Sequence, residues 1–417
     1  MQKHSFFLIL VVCFILPNLL ISQNFLQNGG FESGENGWNG LWLRVDNTGM
    51  SELVDHPVHS GNKALHIKCW GEQNQDWSYS SETLLLVDPQ FVYEFSAWVK
   101  ADQMKDYAAL CITTLDRNQN VTDWLFAIKN TERTNGNYEK FSLKFKVTSE
   151  IKYVRPRFVG WDSCDIFIDD ASFVIADTVG NNDVYVLENS HLKAEIHSDD
   201  FRLNIFDKKS NRQYASSGLA TFLPLRVDSI KDGLSFHGIY LPEDLELSVD
   251  LSLQDNTLIF QLSADSLSDL NEEIFFPAPI LSNAGDFFIV PRASGIIFPV
   301  THHYPFWDFR FWGYKSTMAF VGVTNLASGY MIATDDPWDT GVEFVKNEIQ
   351  NYYNLQLYHA PSKGKFAYPR KFYLTFVHDN GYVEMCQWYR RHVQQLRPVK
   401  TFSEKISENP DVEKLKG

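Results

Sequence analysis

From Asn24 to Ala176 hydrophobic and polar residues alternate with a period of two. Tyr93, Phe95, Ala97 and Val99 interleave with Glu94, Ser96 and Trp98, and Phe141, Leu143, Phe145 and Val147 interleave with Ser142, Lys144 and Lys146. That spacing predicts strands with one buried face. Asn28-Gly29-Gly30, Ser60-Gly61-Asn62 and Asn135-Gly136-Asn137 are turn-forming breaks between such runs, and no amphipathic helix intervenes. An antiparallel sandwich or jelly roll is the architecture this pattern predicts.

A polar stretch, Asp177 to Asp183, comes next and sets the predicted boundary of residues 24–176. A second strand series begins at 183. Leu245, Leu247, Val249, Leu251 and Leu253, a turn at Asp255-Asn256, and Leu258, Phe260 and Leu262 make the clearest hairpin in the chain. Residues 183–380 are therefore expected to form a second, larger β-sandwich, and the whole chain an all-β fold. Helical spacing appears only over 381–417. Tyr382, Cys386, Tyr389, Val393 and Leu396 recur as one predicted core face, and Ser403 and Asn409-Pro410 are cap signals of a second helical stretch between Thr401 and Gly417. Two helices after so much strand read as the opening of a further domain.

The first 23 residues read as a signal peptide: Lys3 and His4, then an almost unbroken apolar run from Phe6 to Leu20, then Ser22 near the end. That run is short for a spanning helix, which needs ~20 residues, and no second one occurs later, so no membrane span is expected. The expected destination is secreted or periplasmic. Four cysteines remain beyond Cys13, too few for a disulfide scaffold and none in a CxxC metal pattern. A net charge of −15, with no basic patch, argues against a nucleic-acid partner. Nucleophile-elbow, phosphate-loop and paired-histidine zinc motifs are absent from the sequence.

The count of 11 Trp, 18 Tyr and 32 Phe directs attention to flat rings. An aromatic side chain on a sandwich surface stacks on the apolar C–H face of a pyranose while nearby polar groups bond its hydroxyls. Trp38, Trp42, Trp70, Trp77, Trp124 and Trp161 are candidates, and Trp42, Trp70 and Trp77 are preferred because they stand in or beside loops rich in Asn, Gln, Asp and Ser. Trp98, inside a strand, is expected on the core side. In the second region Trp307, Trp312 and Asp339 belong to aromatic, acidic loops that suit either a sugar pocket or a domain interface. Asp335, Asp336 and Asp339 are the clustered acids there. They are read as loop or substrate-positioning residues and not as the two facing carboxyls of a glycosidase.

Three segments, Asn28-Gly-Gly-Phe-Glu32, His59-Ser-Gly-Asn-Lys-Ala-Leu65 and Ile166-Phe-Ile-Asp-Asp-Ala-Ser-Phe173, resemble the jelly-roll carbohydrate-binding modules of families 4, 9 and 22. The resemblance covers about 24–176. It implies a structural Ca²⁺ held by Glu32, Asp169 and the neighbourhood of Asn62, and hard oxygen donors suit that ion. Ile205 to Gln213, Pro291 to Pro299, Asp335 to Gly341 and Gly381 to Arg390 resemble the β-sandwich preceding the catalytic barrel of endo-α-N-acetylgalactosaminidase-like glycoside hydrolases, families 101 and 129. On that resemblance the barrel would begin just after Gly417, and no catalytic residue carries over. The expectation is an exported carbohydrate-binding protein, the non-catalytic N-terminal part of a glycoside hydrolase acting on polysaccharide or glycoprotein glycans. The alternative is a complete, non-catalytic surface glycan-binding protein.

Overall fold

The computed structural model describes residues 23–70, 75–180, 182–302, 308–311, 316–347, 351–396 and 400–416. The first sandwich contains β1 (Trp38–Leu43), β2 (Gly49–Val54), β3 (Ala64–Cys69), β4 (Asp76–Ser81), β5 (Leu85–Leu86), β6 (Phe91–Met104), β7 (Ala108–Leu115), β8 (Val121–Asn130), β9 (Glu139–Lys146), β10 (Tyr153–Trp161) and β11 (Cys164–Thr178). One sheet runs β1-β4-β10-β7-β8, with β5 beside β10, and the other runs β2-β3-β11-β6-β9. The alternation read in the sequence decides what lies between them. Tyr93, Phe95, Phe145, Phe158 and Phe173 point inward and are buried together, each contributing roughly 1.5–3 kcal/mol of transfer free energy. Trp98 lies on the opposite side of β6 from these residues. It faces away from the core and is covered by the His59 ring at 3.9 Å; strand parity, not the apolar character of the indole, fixes its direction.

β11 ends at Thr178 and the next strand begins at Val184. From there a four-stranded meander (Val184–Glu188 to Arg212–Ala215), a nine-stranded sheet that includes Leu245–Gln254 and Thr257–Ser263, and a second four-stranded sheet surround a separate apolar core. The predicted hairpin is present, with Ser248 paired to Ser263 through Gln254 paired to Thr257, and Asp255 takes a positive φ of 48° in its turn.

Helix α1 (Tyr382–Leu396) packs on this second sandwich. Its inward face keeps Cys386 and Tyr389 of the predicted stripe and adds Met385 and Trp388. Met385 is buried, Trp388 and Tyr389 are half-buried, and Tyr382 and Leu396 are exposed. The thioether, the indole and the Tyr389 hydroxyl, which accepts from the Ala319 N–H at 2.9 Å, fill the contact in place of Val393 and Leu396. Helix α2 (Phe402–Glu408) is capped by Thr401 with Glu404 in a reciprocal capping box, two residues earlier than the Ser403 signal, and Asn409 caps the short 3₁₀ segment that Pro410 opens.

The two sandwiches touch. Val92 packs against Leu223 and Leu241. Lys129 pairs with Glu243 at 3.3 Å and Lys144 with Asp244 at 2.9 Å. Lys146, fully buried, donates its backbone N–H to the Ala220 carbonyl at 3.3 Å and its ammonium to the Asp199 carbonyl.

Candidate functional site

The outer face of the β1-β4-β10-β7-β8 sheet is built by simple parity. Leu43 and Trp77, paired in register, face the core, so Trp42 and its partner Ser78 face out. The same alternation turns Ser80, Arg155, Arg157, Val159, Ala109, Cys111 and Thr113 outward. Four steps of ~4.8 Å separate β1 from β8, so this face is about 19 Å across.

A tryptophan stands near each side of it. Trp42 on β1 is 53% exposed and Trp124 on β8 is 54% exposed. The Trp124 backbone is tied down: its carbonyl accepts from Arg157 Nη2 at 2.8 Å and Thr113 Oγ1 at 3.0 Å, and the Arg157 guanidinium lies 5.6 Å from its ring centroid. Cationic contact and hydrogen bond together fix the indole without burying it. Between the two rings a small apolar cluster of Val159, Ala109 and Cys111, with Tyr107 against it, is flanked by polar groups. Asn39 Nδ2 donates to Ser80 Oγ at 3.1 Å, and the Nε groups of Arg155 and Arg157 are shielded donors without a protein partner. Two rigid apolar plates with donors between them match the two-sided chemistry of a sugar.

The other predicted tryptophans divide. Trp70 is 50% exposed at the end of β3, its backbone N–H bonded to the Thr48 carbonyl at 2.9 Å. Trp77, expected at the surface, is 2% exposed. Its ring fills the space over Gly160, where a Cβ would come within 2.4 Å of it. The polar loop before it ends one residue too soon to keep it out, since β4 starts at Asp76 and turns Trp77 inward. Trp38 is core as well, stacked 5.3 Å from Phe31.

Glu32, Asn62 and Asp169 are brought together at a different place, the loop between β2 and β3. Glu32 Oε1 accepts from the backbone N–H groups of Asn62 at 2.7 Å and Lys63 at 3.0 Å, and these bonds hold its carboxyl below the usual range. Asp169 Oδ2 accepts from the N–H groups of His59 at 2.9 Å and Ser60 at 3.1 Å, and Asp170 binds the His59 ring at 2.7 Å. Gly61 has φ +63°, and a Cβ there would meet Glu32 Oε1 at 2.2 Å, so glycine alone lets the loop close on the acid. Asp169 is completely buried and bonded only to backbone N–H groups, and burial first, with Asp170 adding to it, pushes its carboxyl upward. Glu32, Asp169 and Asp170 thus all engage the 59–63 loop, through its N–H groups and the His59 ring. Among the described residues no three His, Cys, Asp or Glu side chains surround one point, so carbonyl oxygens would have to complete a cation's shell.

In the second sandwich Trp307 and Trp312 lie outside the described residues. Asp339 is placed in a polar cluster: Tyr368 O–H lies 2.7 Å from Asp339 and 2.8 Å from Asp336, and the buried Arg370 guanidinium, 3.7 Å from each carboxylate, stacks 3.6 Å over the Tyr368 ring. Asp335 receives Tyr373 O–H at 2.6 Å and meets His392 Nε2 of α1 at 2.7 Å. Burial pushes its carboxyl up, and the two bonds, with the nearby charges of His392 and Lys371, overcome that and hold it below the usual range. Tyr368, Arg370 and His392 carried no signal in the sequence, because they approach the Asp335–Asp339 loop from the strand Arg370–Val377, from the bend before it and from the helix.

Residues 23–164 match the carbohydrate binding domain family. Among curated proteins, the tRNA nuclease WapA of Bacillus subtilis strain 168 is 32% identical over 111 residues, 26% of this chain and 5% of that protein, and its Bacillus spizizenii counterpart aligns to the same extent. The chain thus spans about a twentieth of these relatives. Similar solved structures include an alpha-N-acetylgalactosaminidase from Bifidobacterium bifidum in complex with GalNAc, 14% identical, TM-score 0.46, covering 55% of this chain and 42% of that one. A xylan-binding domain from Paenibacillus barcinonensis is 14% identical, with a TM-score of 0.25 over 33% of this chain and 86% of its own. No helix among the described residues is long and apolar enough to cross a membrane.

Proposed function

We propose that the carbohydrate-binding part of this protein grips its ligand across the outer face of the β1-β4-β10-β7-β8 sheet, with Trp42 and Trp124 as stacking plates and Arg155, Arg157, Asn39 and Ser80 bonding hydroxyls. The observation that carries the reading is the pair of half-exposed indoles on one face of a domain that matches a carbohydrate binding family. Trp70, exposed where β3 of the other sheet ends, is a separate candidate contact. The apolar leader argues for export, so the ligand is an extracellular polysaccharide or glycoprotein glycan. The role of the second sandwich within a glycan-processing system is drawn from its resemblance to the hydrolase sandwich. Its acids at 335, 336 and 339, each engaged by Tyr, Arg or His, are read as structural.

Calcium at Glu32 and Asp169 belongs to the same proposal. Their carboxylates, with carbonyls of the 59–63 loop, would hold the ion and brace that loop; sugar recognition stays with the aromatic face.

A glycan array, followed by affinity electrophoresis on the best ligand, tests the reading. Trp42→Ala and Trp124→Ala should each weaken binding by about 1–2 kcal/mol, roughly 5–30-fold in Kd, with the fold intact. Trp77→Ala should cost stability instead. Unchanged retention for both surface variants would remove the face from consideration.

A further inference from the structure

The register of β3 against β11 places Cys69 directly across from Cys164. Both are thiols, both point into the core of the first sandwich, and both are buried. A hydrogen bond between them lowers the Cys69 thiol and raises that of Cys164. Directly opposed residues of an antiparallel ladder have Cα atoms about 4.5 or 5.5 Å apart, and a disulfide spans roughly 4.4–6.8 Å. Room has been left around the sulfurs: in β2, Gly49 is paired with Cys69, and a Cβ at Gly49 would approach Cys69 Sγ to 2.8 Å.

The remaining described thiols have no such neighbour. Cys111 lies on the outer face, between the Arg157 guanidinium at 3.7 Å and the Trp124 carbonyl at 3.6 Å, and burial pushes it up to about 11. Cys386 is on α1, against the second sandwich. A metal reading of the pair lacks a third ligand among the described residues. Cys69 closes β3 and Cys164 opens β11, so both sit at strand ends, where local opening is easiest.

We propose that Cys69 and Cys164 form a cross-strand disulfide when the chain meets a disulfide oxidant, and that this bond pins the strand end from which Trp70 projects. The Cys69 thiolate attacks one sulfur of the oxidant's disulfide and releases its first thiolate. Cys164, after losing its proton, attacks the Cys69 sulfur of the mixed disulfide and releases the second. Two protons and two electrons pass from the cysteine pair to the oxidant, which leaves as two thiols. No thiol elsewhere in the chain is consumed.

The test uses the full chain refolded in glutathione disulfide, then unfolded and alkylated with N-ethylmaleimide before digestion. The expected result is a peptide linking Cys69 to Cys164, alkylated Cys111 and Cys386, and a melting temperature of the first sandwich that falls by roughly 5–10 °C on reduction. Cys69→Ser should abolish both the linked peptide and the response to reductant. Where that variant does not fold, the wild-type chain still decides, through the linked fraction as glutathione disulfide is titrated against glutathione. Complete alkylation of Cys69 and Cys164 at every ratio, or a link from either to Cys111, would overturn the proposal.

Discussion

What a tryptophan does in this chain depends on which side of its strand it occupies. Trp42 and Trp77 belong to paired strands one register step apart, yet one faces solvent and the other fills the core. Composition around them is alike, so the polar neighbourhood that nominated Trp77 carried no information on direction. At this scale the acids of the β2–β3 loop make a second prediction. If Asp169 holds a cation, adding Ca²⁺ should raise the melting temperature of residues 24–176, by an amount equivalent to about 2.7 kcal/mol at a hundredfold excess over Kd, and chelator should reverse it. Asp169→Ala should be indifferent to both. A differential scanning trace that is the same with calcium and with chelator for the wild type would rule the ion out.

Among the elements, helix α1 is the one whose placement depends on a polar contact. Asp335 accepts from Tyr373 and meets His392, whose ring stacks 4.8 Å from Trp388. Asp335→Asn leaves one of these groups mispaired and should weaken docking by roughly 1–3 kcal/mol, read as faster amide exchange confined to 382–396. Unaltered exchange there would show that Met385 and Tyr389 suffice. The strands were legible beforehand because alternation is local: β6, β9 and the 245–263 hairpin each announce themselves within a dozen residues. The helix was legible as a helix and its inward face in part, through Cys386 and Tyr389, but the choice between Met385 with His392 and Val393 with Leu396 depends on Asp335 and Ala319, far away in sequence. The proposed binding face was half legible. Trp42 was named on local grounds, whereas the clamp on Trp124 needs Arg157, 33 residues on, and only the strand order β10-β7-β8 reveals it.

At the scale of the whole molecule the junction between the sandwiches turns on Lys146. Burial pulls its ammonium down to about 8, against partial support from Asp200 and Asp199. The unfolded chain keeps that proton up to about 10.5, so between pH 8 and 10.5 the folded state binds fewer protons and its stability rises with pH. Below pH 8 the cost of the buried charge is constant, on the order of 3 kcal/mol. Lys146→Met should therefore flatten the rise in melting temperature between pH 8 and 10, relative to wild type, and parallel curves for the two proteins would show that the residue is not buried as a cation. The same junction has a mechanical result. Because β9 enters the second sandwich through a backbone bond and a buried ammonium, the aromatic face is mounted on a bracket and not on a tether. A ligand held there in the proposed way would keep one angle and one distance to the second sandwich.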